Sequence, residues 1–288
     1  MILNKGTNIL IVGLGVIGGG YSKALTDKGY KVKCITKEEN DIQYAKEHGM
    51  IDFGTTEVDE QIVREAELII FALYPTTFID WVEKYKYLFT KGTVITDVTG
   101  VKGSVVRRVQ DMLPDGVEFI SAHPMAGRER SGVEYSDPTV FYGANYIVTP
   151  TERNTEEAVE LAERLGEALG FAKISRLSVE EHDRMIAFLS QLTHCIAIVL
   201  MNCNDTPNLE KYTGDSFRDL TRIAKINDRM WSELFILNKE ALLTEIDAFM
   251  DEFSRFRELI ANEDSEQMRE KMRASTKRRS LFDKPINK

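Results

Sequence analysis

The sequence has few cysteines, and their pattern suggests neither a disulfide framework nor a metal site. Its three cysteines, Cys34, Cys195 and Cys203, are an odd number and form no C-x-x-C pair. This usage is typical of reduced thiols in a cytosolic protein. We therefore expect a cytoplasmic protein that holds no structural metal.

Long hydrophobic runs, a signal peptide and an excess of positive charge are also lacking. No uninterrupted apolar run approaches the roughly 18 residues that a transmembrane helix requires, so we expect no membrane span. Lys and Arg number 37 against 46 Asp and Glu, a net charge of −9. An acidic protein of this kind disfavours nucleic acids and anionic membranes as partners, and the expected partner is a small molecule. The 288 residues allow one large or two modest domains.

A glycine-rich turn near the start of the chain carries the clearest motif. Four apolar residues, Ile9 to Val12, are typical of a strand buried on both faces of a parallel sheet. The next six residues read G-x-G-x-x-G, and residues 21–28 have helical spacing. Strand, turn and helix together predict a dinucleotide site with the pyrophosphate at the helix N-terminus, the alternative being a glycine turn without a ligand. The predicted cofactor contacts here are Gly13, Gly15, Val16, Ile17 and Gly18.

The end of the second expected strand bears on the choice of cofactor. An acidic residue at this point normally binds the adenosine ribose hydroxyls. Thr36 and Lys37 occupy the place instead, so the acid is missing and a cation is present, which favours NADP. Glu38 follows directly and keeps NAD open.

Strands and helices alternate over the first part of the chain. Apolar strand segments lie at 30–35, 67–73, 93–97 and 117–122, and helical segments lie at 42–48, 78–88 and 105–112. This alternation predicts an α/β Rossmann domain with a doubly wound, mostly parallel sheet. Possible late strands at 145–149 and 172–174 enclose a helix at 155–169. We expect the dinucleotide-binding domain to span residues 1–176.

Strand signals stop after about Leu177, and helical periodicity replaces them. One apolar stripe comprises Met185, Leu189, Leu192, Ile196 and Val199. A second stretch, 231–260, is also rich in large apolar side chains. We expect residues 177–288 to form an all-α substrate and dimerisation domain that pairs with a second copy, the alternative being a self-contained helical lobe.

Three polar stretches follow buried strands, at the edge where open α/β sheets bind ligands. They contain Tyr74 and Pro75, Thr99, and His123. His123 lies between a buried strand and a proline, so its backbone is held extended. An imidazole at this edge can accept a proton near neutral pH, the alternative being a histidine that only completes a turn.

The helical half contributes polar side chains at helical spacing. Ser190, Gln191 and His194 are near neighbours on one helix face, where either a substrate or the core would complete their hydrogen bonds. Further along, Arg222 lies among apolar residues, and Asp219 is placed three positions earlier to hold its guanidinium. The alternative for this pair is an ordinary surface salt bridge.

Five stretches, in order along the chain, resemble a known family. They are GLGVIGG, DVTGVKG, HPMAGRERSGVEYS, the helix from Ser190 to His194, and FRDLTRIAKINDRMW. Together they resemble the prephenate and arogenate dehydrogenases of tyrosine biosynthesis over nearly the whole chain. The resemblance implies a Rossmann domain followed by a helical dimerisation domain.

The resemblance also implies a reaction, the NAD(P)-dependent oxidative decarboxylation of prephenate to 4-hydroxyphenylpyruvate. His123 matches the family's catalytic histidine, which polarises or deprotonates the ring hydroxyl. Arg222 matches the arginine that binds a substrate carboxylate, and His194 matches a second substrate histidine. Glu129 and Asp219 match acidic residues near the site.

Three positions depart from the family pattern. Many members carry serine where this chain has Gly100, and the neighbouring Thr99 is a candidate to replace its hydroxyl. Gln191 stands where members often have a second histidine. Arg128 stands where many have a small or uncharged residue, and a cation there suits prephenate better than arogenate, whose side chain carries an ammonium group.

Other functions remain open on the sequence. An arogenate dehydrogenase giving L-tyrosine is one alternative. A β-hydroxyacid dehydrogenase or pyrroline-carboxylate reductase would be expected to place a catalytic Lys, Ser or Thr in the helical domain. A non-catalytic NAD(P)-binding sensor needs no proton acceptor, so His123, His194 and Arg222 argue against it.

Overall fold

The computed structural model describes residues 2–127 and 130–283. Arg128 and Glu129, both expected at the substrate, lie outside the described residues. The chain divides into two compact units, Met1–Lys239 and Glu240–Lys288, and each is described by itself.

A six-stranded parallel sheet is the centre of the first unit. Its strands are β1 (Ile9–Val12), β2 (Val32–Ile35), β3 (Phe53–Thr55), β4 (Leu68–Phe71), β5 (Val94–Asp97) and β6 (Glu118–Phe119). They lie in the order β3-β2-β1-β4-β5-β6, and every pair is parallel. The strand order reverses between β1 and β4, which is the doubly wound Rossmann arrangement that the sequence predicts.

Helices connect these strands, as the alternating pattern requires. They are α1 (Val16–Asp27), α2 (Glu39–Glu47), α3 (Glu60–Glu65), α4 (Pro75–Tyr85) and α5 (Val106–Met112). Two elements, β3 and α3, were not predicted, because segments of three and six residues are too short to show a hydrophobic period. Later in the chain α6 (Glu156–Leu169) follows the expected segment closely.

The strand expected at 117–122 is in fact two strands in two sheets. Ile120 still donates its N–H to the carbonyl of Ile95 (2.9 Å), but from Ser121 the chain leaves the main sheet. It continues as β7 (Ser121–Pro124), which pairs antiparallel with β8 (Asn145–Thr149), and β8 pairs parallel with β9 (Lys173–Arg176). The physical reason is Asp97, at the end of β5, whose carboxylate accepts the Ser121 hydroxyl (2.6 Å) and the Ala122 N–H (3.1 Å).

Both faces of the main sheet are covered, which explains the continuous apolar run of β1. Successive side chains of a strand point to opposite faces. Ile9 and Ile11 accordingly join the core that contains α1 and α6, whereas Leu10 and Val12 join the core that contains α3, α4 and α5. All four side chains are at most 2% exposed.

The helical part begins with one continuous helix that changes its winding. Its parts are α7 (Val179–Ile186), a π-helical segment (Ala187–Leu192) and α8 (Thr193–Asn202). The expected apolar stripe does not form one covered face: Leu192 is buried, whereas Leu189 and Val199 are exposed. The wider π turn shifts the helical phase, so residues spaced for a regular α-helix no longer stay aligned.

This continuous helix also meets the length and composition of a membrane span. Val179–Asn202 has 24 residues with a mean hydropathy of 1.7 in its most apolar window. Polar residues interrupt its apolar run, so the sequence does not predict a span here. Only 28% of that window is buried, and His182, Asp183 and Gln191 of this helix hydrogen-bond to other elements of the first unit.

Four further helices complete the described chain. The first unit adds α9 (Asp215–Thr221), a 3-10 turn (Arg222–Ala224) and α10 (Asp228–Leu237). Next comes α11 (Lys239–Ala261), which begins at the boundary of the units, and α12 (Ser265–Arg279) belongs to the second unit. The apolar stretch 231–260 is therefore two helices that break at Asn238, whose buried amide donates to Gln191 Oε1 (2.7 Å) and to the carbonyl of Asp183 (2.9 Å).

Candidate active site

The glycine turn between β1 and α1 fits a bound dinucleotide. Gly13 has a φ of +99°, and a Cβ at Gly18 would lie 2.1 Å from the carbonyl oxygen of Gly13, so neither position tolerates a larger residue. Gly15 is the N-cap of α1, and apart from its own chain neighbours no described atom lies within 4 Å of where its Cβ would be. The chain is therefore open on this side of the turn, just before Val16 and Ile17 begin the helix. This is the cradle that a pyrophosphate requires.

The end of β2 carries more negative charge than Thr36 and Lys37 alone suggest. Lys37 is exposed, and Thr36 is partly buried. Asp41 of α2 has a raised pKa, first because of partial burial and then because of the negative charges of Glu134 and Glu38. The 3-10 turn that carries Glu134 packs against α2, the helix of Asp41, so both carboxylates belong to the region that follows β2.

Tyr74 and Pro75 begin α4, at the carboxyl end of β4. Tyr74 is the N-cap and Pro75 the first helical residue. The Tyr74 hydroxyl accepts a hydrogen bond from Asn227 Nδ2 (3.0 Å), and Thr76 donates its N–H to Glu233 Oε1 (2.6 Å). This edge of the sheet therefore contacts the start of α10.

A buried ion pair lies beneath the site, between Asp97 at the end of β5 and Lys102. The Lys102 Nζ is 2.9 Å from Asp97 Oδ2, and both side chains are 0% exposed. Lys102 also donates to the Ala122 carbonyl (2.7 Å) and to Thr99 Oγ1 (3.3 Å). Burial lowers the pKa of Lys102, and the charge of Asp97 opposes that shift.

Thr99 does not stand in for the serine hydroxyl expected at position 100. Its side chain is 3% exposed, and its hydroxyl donates to the Asp97 carboxylate or to the Val101 carbonyl (3.0 Å) while accepting from Lys102. A hydroxyl has only one proton to donate. Thr99 is therefore a member of the buried Asp97 network and not a contact for substrate.

His123 lies on β7, where its ring joins a chain of three side chains. Its Nδ1 is 2.9 Å from Nε2 of His182, and Nδ1 of His182 is 2.8 Å from Oδ1 of Asp183. Asp183 also accepts the backbone N–H groups of Lys102 (2.8 Å) and Gly103 (2.7 Å). His123 of β7 thus hydrogen-bonds to His182 of α7, and Asp183 of the same helix accepts hydrogen bonds from the loop after β5.

The surroundings keep the His123 ring neutral. Burial lowers the pKa of His123 well below its usual 6.5, and the neighbouring His182 and the charge of Lys102 act in the same direction. Burial also lowers the pKa of His182, although Asp183 opposes that shift. A neutral imidazole has one unprotonated ring nitrogen, which can accept a hydrogen bond or a proton.

The other ring nitrogen of His123 faces the gap left by Gly100. A Cβ built at Gly100 would lie 3.8 Å from His123 Nε2 and 3.6 Å from Leu234 Cδ2 on α10. These are ordinary contact distances, and Gly100 does not have a positive φ. Position 100 therefore has room for a Cβ. Because glycine stands there, no hydroxyl from this position lies beside His123 Nε2.

On the helical side, His194 lies close to the same helix α10. Its ring stacks on Trp231 with centroids 3.7 Å apart, and its Nδ1 is 2.8 Å from the carbonyl of Ser190. Trp231 and Leu234 are three residues apart and so share a face of α10. Trp231, which contacts His194, and Leu234, which lies near Gly100, are therefore on one face of α10.

Gln191 and Ser190 have structural contacts within the helix bundle. Gln191 is buried, donates to the Leu234 carbonyl (2.9 Å) and accepts from Asn238 (2.7 Å). Ser190 is partly buried in the π-helical segment. The Gln191 amide therefore links two helices. Its hydrogen bonds are made within the protein core, as the alternative to a substrate contact requires.

Arg222 and Asp219 are not paired with each other. Arg222 begins the 3-10 turn after α9, which packs against α8, the helix of His194. Both side chains are exposed, and in the part of the chain that the structure describes they form no ion pair together. The expectation that Asp219 orients Arg222 therefore finds no support in a contact between the two side chains.

His182, Asp183 and the role of Lys102 are not predicted from the sequence. Ser178 and Glu181 form a capping box that starts α7, and His182 and Asp183 follow it directly. The usable signal was the capping pattern of Ser178 and Glu181, which starts the helix and places the adjacent His182 and Asp183 in its first two turns.

Neither of two shallow cavities elsewhere on the first unit involves these residues. They measure about 190 and 450 Å³ and share Gln110 and Arg153 in their walls. Over residues 2–127 and 130–283, no three His, Cys, Asp or Glu side chains are grouped to hold a metal ion.

Comparison with known proteins places the chain among similar sequences and structures. The family model described as "Prephenate dehydrogenase, nucleotide-binding domain" matches residues 21–175, and "Prephenate dehydrogenase, dimerization domain" matches residues 178–274. A prephenate dehydrogenase of Bacillus subtilis is 29% identical over 267 residues, which are 90% of this chain and 72% of that protein. A cyclohexadienyl dehydrogenase of Zymomonas mobilis is 29% identical over 283 residues, 94% of each.

Among solved structures, a prephenate dehydrogenase from Aquifex aeolicus in complex with hydroxyphenyl propionate and NAD+ has a similar fold. Its TM-score is 0.88 at 32% identity, and the match covers 96% of this chain and 98% of that one.

Proposed function

The chain belongs to the prephenate dehydrogenase family, and from this premise we propose that it oxidises and decarboxylates prephenate to 4-hydroxyphenylpyruvate with NAD(P). The observation that carries the proposal is His123, a neutral imidazole whose Nε2 faces the gap at Gly100. Such a group suits the removal of a proton from a ring hydroxyl. A nucleotide-binding sensor would have no use for it.

The reaction requires a base and a positioned substrate more than a strong acid or a metal. A bound nicotinamide cofactor supplies the acceptor for the hydride that leaves the carbinol carbon. His123 takes the hydroxyl proton as the carbinol becomes a carbonyl. The ring carboxylate then leaves as CO2, its bonding electrons make the ring aromatic, and His123 returns the proton to the phenolate oxygen.

The substrate is a dianion, so its carboxylates need cationic or hydrogen-bonding partners. We assign this role to Arg222, with His194, whose ring contacts Trp231 of α10, as a second substrate contact. For Arg128 and Glu129, which lie outside the described residues, we propose the substrate-binding roles that the family resemblance implies. Asp219, Ser190 and Gln191 are secondary candidates: the Gln191 amide is hydrogen-bonded within the protein, and Asp219 and Ser190 rest on the family resemblance and the sequence spacing alone.

The substrate itself is best tested by a direct comparison of prephenate with L-arogenate. We expect a higher kcat/KM for prephenate, because an arginine at position 128 would repel the ammonium group of arogenate. Arg128→Ala should reduce the preference for prephenate. A higher kcat/KM for arogenate in the unmodified protein would assign the chain to the arogenate dehydrogenases instead.

The cofactor has two opposing determinants at the end of β2. Lys37 would attract the 2′-phosphate of NADP, whereas Glu38, Asp41 and Glu134 would repel it. Because three carboxylates oppose one exposed lysine, we propose that NAD is the better cofactor, against the sequence-based preference for NADP. Measuring kcat/KM for both cofactors tests this, and Glu134→Gln should improve the use of NADP. A strong NADP preference in the unmodified protein would contradict it.

We also propose a cytoplasmic homodimer that pairs through its helical part, residues 177–288. Support comes from large apolar side chains that are exposed in the single chain, including Val199, Ile236 and Phe253. Surfaces of this kind usually mark an interface. The three cysteines are free, as in a reducing compartment. Analytical ultracentrifugation at micromolar concentration should give twice the 32.8 kDa chain mass.

One assay tests the proposed reaction as a whole. The protein is mixed with prephenate and NAD or NADP, and reduced cofactor is followed by absorbance while 4-hydroxyphenylpyruvate is identified by mass. We expect equal amounts of reduced cofactor and product. Cofactor binding without turnover of prephenate or arogenate would favour the sensor alternative.

A further inference from the structure

We propose that His182 is a positioning residue that fixes the imidazole proton of His123 on Nδ1, so that Nε2 offers its lone pair to the substrate. The inference rests on the proposed function and deepens it, because it names which ring atom accepts the proton and what holds it ready. A continuous hydrogen-bonded chain from the loop after β5, through α7, to β7 supports it.

The chain starts at Asp183, whose carboxylate is surrounded by donors. Its oxygens accept the backbone N–H groups of Lys102 (2.8 Å) and Gly103 (2.7 Å), and backbone amides cannot reverse their direction. Asp183 Oδ1 also lies 2.8 Å from His182 Nδ1. A carboxylate that already accepts two N–H groups acts as an acceptor here too, so His182 carries its proton on Nδ1.

The direction of the next hydrogen bond follows from the first. His182 is 0% exposed, and a neutral imidazole has one N–H, so its Nε2 is an acceptor. That atom lies 2.9 Å from Nδ1 of His123, which must therefore donate. The hydrogen bond made by one ring nitrogen fixes the state of the other, so His123 Nε2 is unprotonated.

The position of His182 is fixed by packing as well as by hydrogen bonds. Asn238 donates to the Asp183 carbonyl (2.9 Å) and to Gln191 Oε1 (2.7 Å), which ties α7 to the end of α10. The rings of His123 and His182 meet edge-on with centroids 5.1 Å apart. His182 is therefore held at a fixed distance behind the base.

Nitrogen NMR of the full-length protein reads the proton positions directly. The chain has four histidines, so 15N-histidine labelling gives a small set of signals that single substitutions assign. At neutral pH we expect His123 to show a protonated Nδ1 and an unprotonated Nε2. In His182→Phe, which keeps an aromatic ring without an acceptor, the His123 proton should move in part to Nε2. A proton on Nε2 in the unmodified protein, or an unchanged pattern in His182→Phe, would overturn the proposal.

Kinetics separate positioning from structural support. We expect His182→Phe to lower kcat about 10- to 100-fold, a part of the 10²–10⁴ that general-base catalysis supplies, with KM changing less than about 3-fold. His182→Gln retains an acceptor oxygen and should recover much of kcat. His48→Phe is the matched control, because His48 is an exposed residue stacked on Tyr44 away from the site.

The outcomes distinguish this inference from the function on which it rests. Equal losses of kcat in the Phe and Gln variants would contradict a role through the acceptor atom. If His182→Phe fails to fold, the His182→Gln variant and the NMR pattern of the unmodified protein still decide. Failure of the unmodified protein to turn over prephenate would refute the proposed function, and the NMR result would stand apart from it.

Discussion

Replacing Lys102 with methionine tests whether the buried Asp97 pair supports the fold around His123. Methionine keeps the length and most of the volume of lysine, so the change removes a charge and three hydrogen bonds while leaving the packing nearly intact. The lost contacts are those from Nζ to Asp97 Oδ2 (2.9 Å), the Ala122 carbonyl (2.7 Å) and Thr99 Oγ1 (3.3 Å).

The size of the effect follows from what Asp97 retains. Removing one partner of a buried pair typically costs about 3–5 kcal/mol, because it leaves a charge without compensation. Asp97 would still accept the N–H groups of Thr99 (3.0 Å) and Ala122 (3.1 Å) and the Ser121 hydroxyl (2.6 Å). These donors place the expected loss near the lower limit, about 3 kcal/mol, out of the total of about 5–15 kcal/mol that a domain has.

Urea unfolding measures this loss at a fixed protein concentration. Trp81 and Trp231 both lie in the first unit and report on it by fluorescence. The double variant Lys102→Met/Asp97→Asn should recover part of the loss, because the unpaired carboxylate is removed as well. Lys33→Met, which breaks a surface pair with Glu65, is the matched control and should leave the midpoint nearly unchanged. If Lys102→Met lowers the free energy of unfolding no more than Lys33→Met does, the buried pair does not support the fold.

Four further predictions concern the site. His123→Asn should lower kcat by about 10² or more with cofactor affinity unchanged, and an unchanged kcat would remove His123 from the mechanism. Arg222→Gln should mainly raise the KM for prephenate, and equal KM values would exclude its role at the carboxylate. Gly100→Ser should fold normally and lower that KM about 2- to 10-fold, the worth of one added hydrogen bond, whereas a raised KM would mean that the hydroxyl blocks substrate. Because the pKa values of His123 and His182 are lowered in the folded state, the unfolded state binds more protons as the pH falls below 6.5. Stability from this source should therefore decrease on acidification from about pH 6.5 downward, and an unfolding midpoint equally acid-sensitive in His123→Asn/His182→Phe would contradict it.

The parts of the fold that the sequence predicts are those that depend on local signals. The apolar run of β1 and the glycines after it lie within ten residues, and they indicate strand, turn and helix without help from the rest of the chain. The alternation of strands and helices extends this prediction to β2, β4 and β5. His123 was identified in the same way, by its place directly after a buried segment and before a proline.

The parts that could not be predicted depend on contacts far apart in the chain. The break after Ile120 occurs because Asp97, 24 residues before Ser121, accepts its hydroxyl in place of the next strand bond. The link between His123 and His182 joins residues 59 positions apart, and that between Gly103 and Asp183 joins residues 80 apart. The π-helical segment Ala187–Leu192 likewise alters a helical phase that spacing alone takes as constant.

The hydrogen-bonded line from Asp183 to His123 crosses from a helix to a strand, and this makes chemical competence conditional on tertiary folding. A chain whose sheet has formed but whose α7 has not yet docked would have the glycine turn needed to hold nucleotide. It would lack the partner that orients the imidazole of His123. Such a partly folded molecule would bind cofactor without oxidising the substrate. Turnover therefore reports that α7 has docked on the folded sheet.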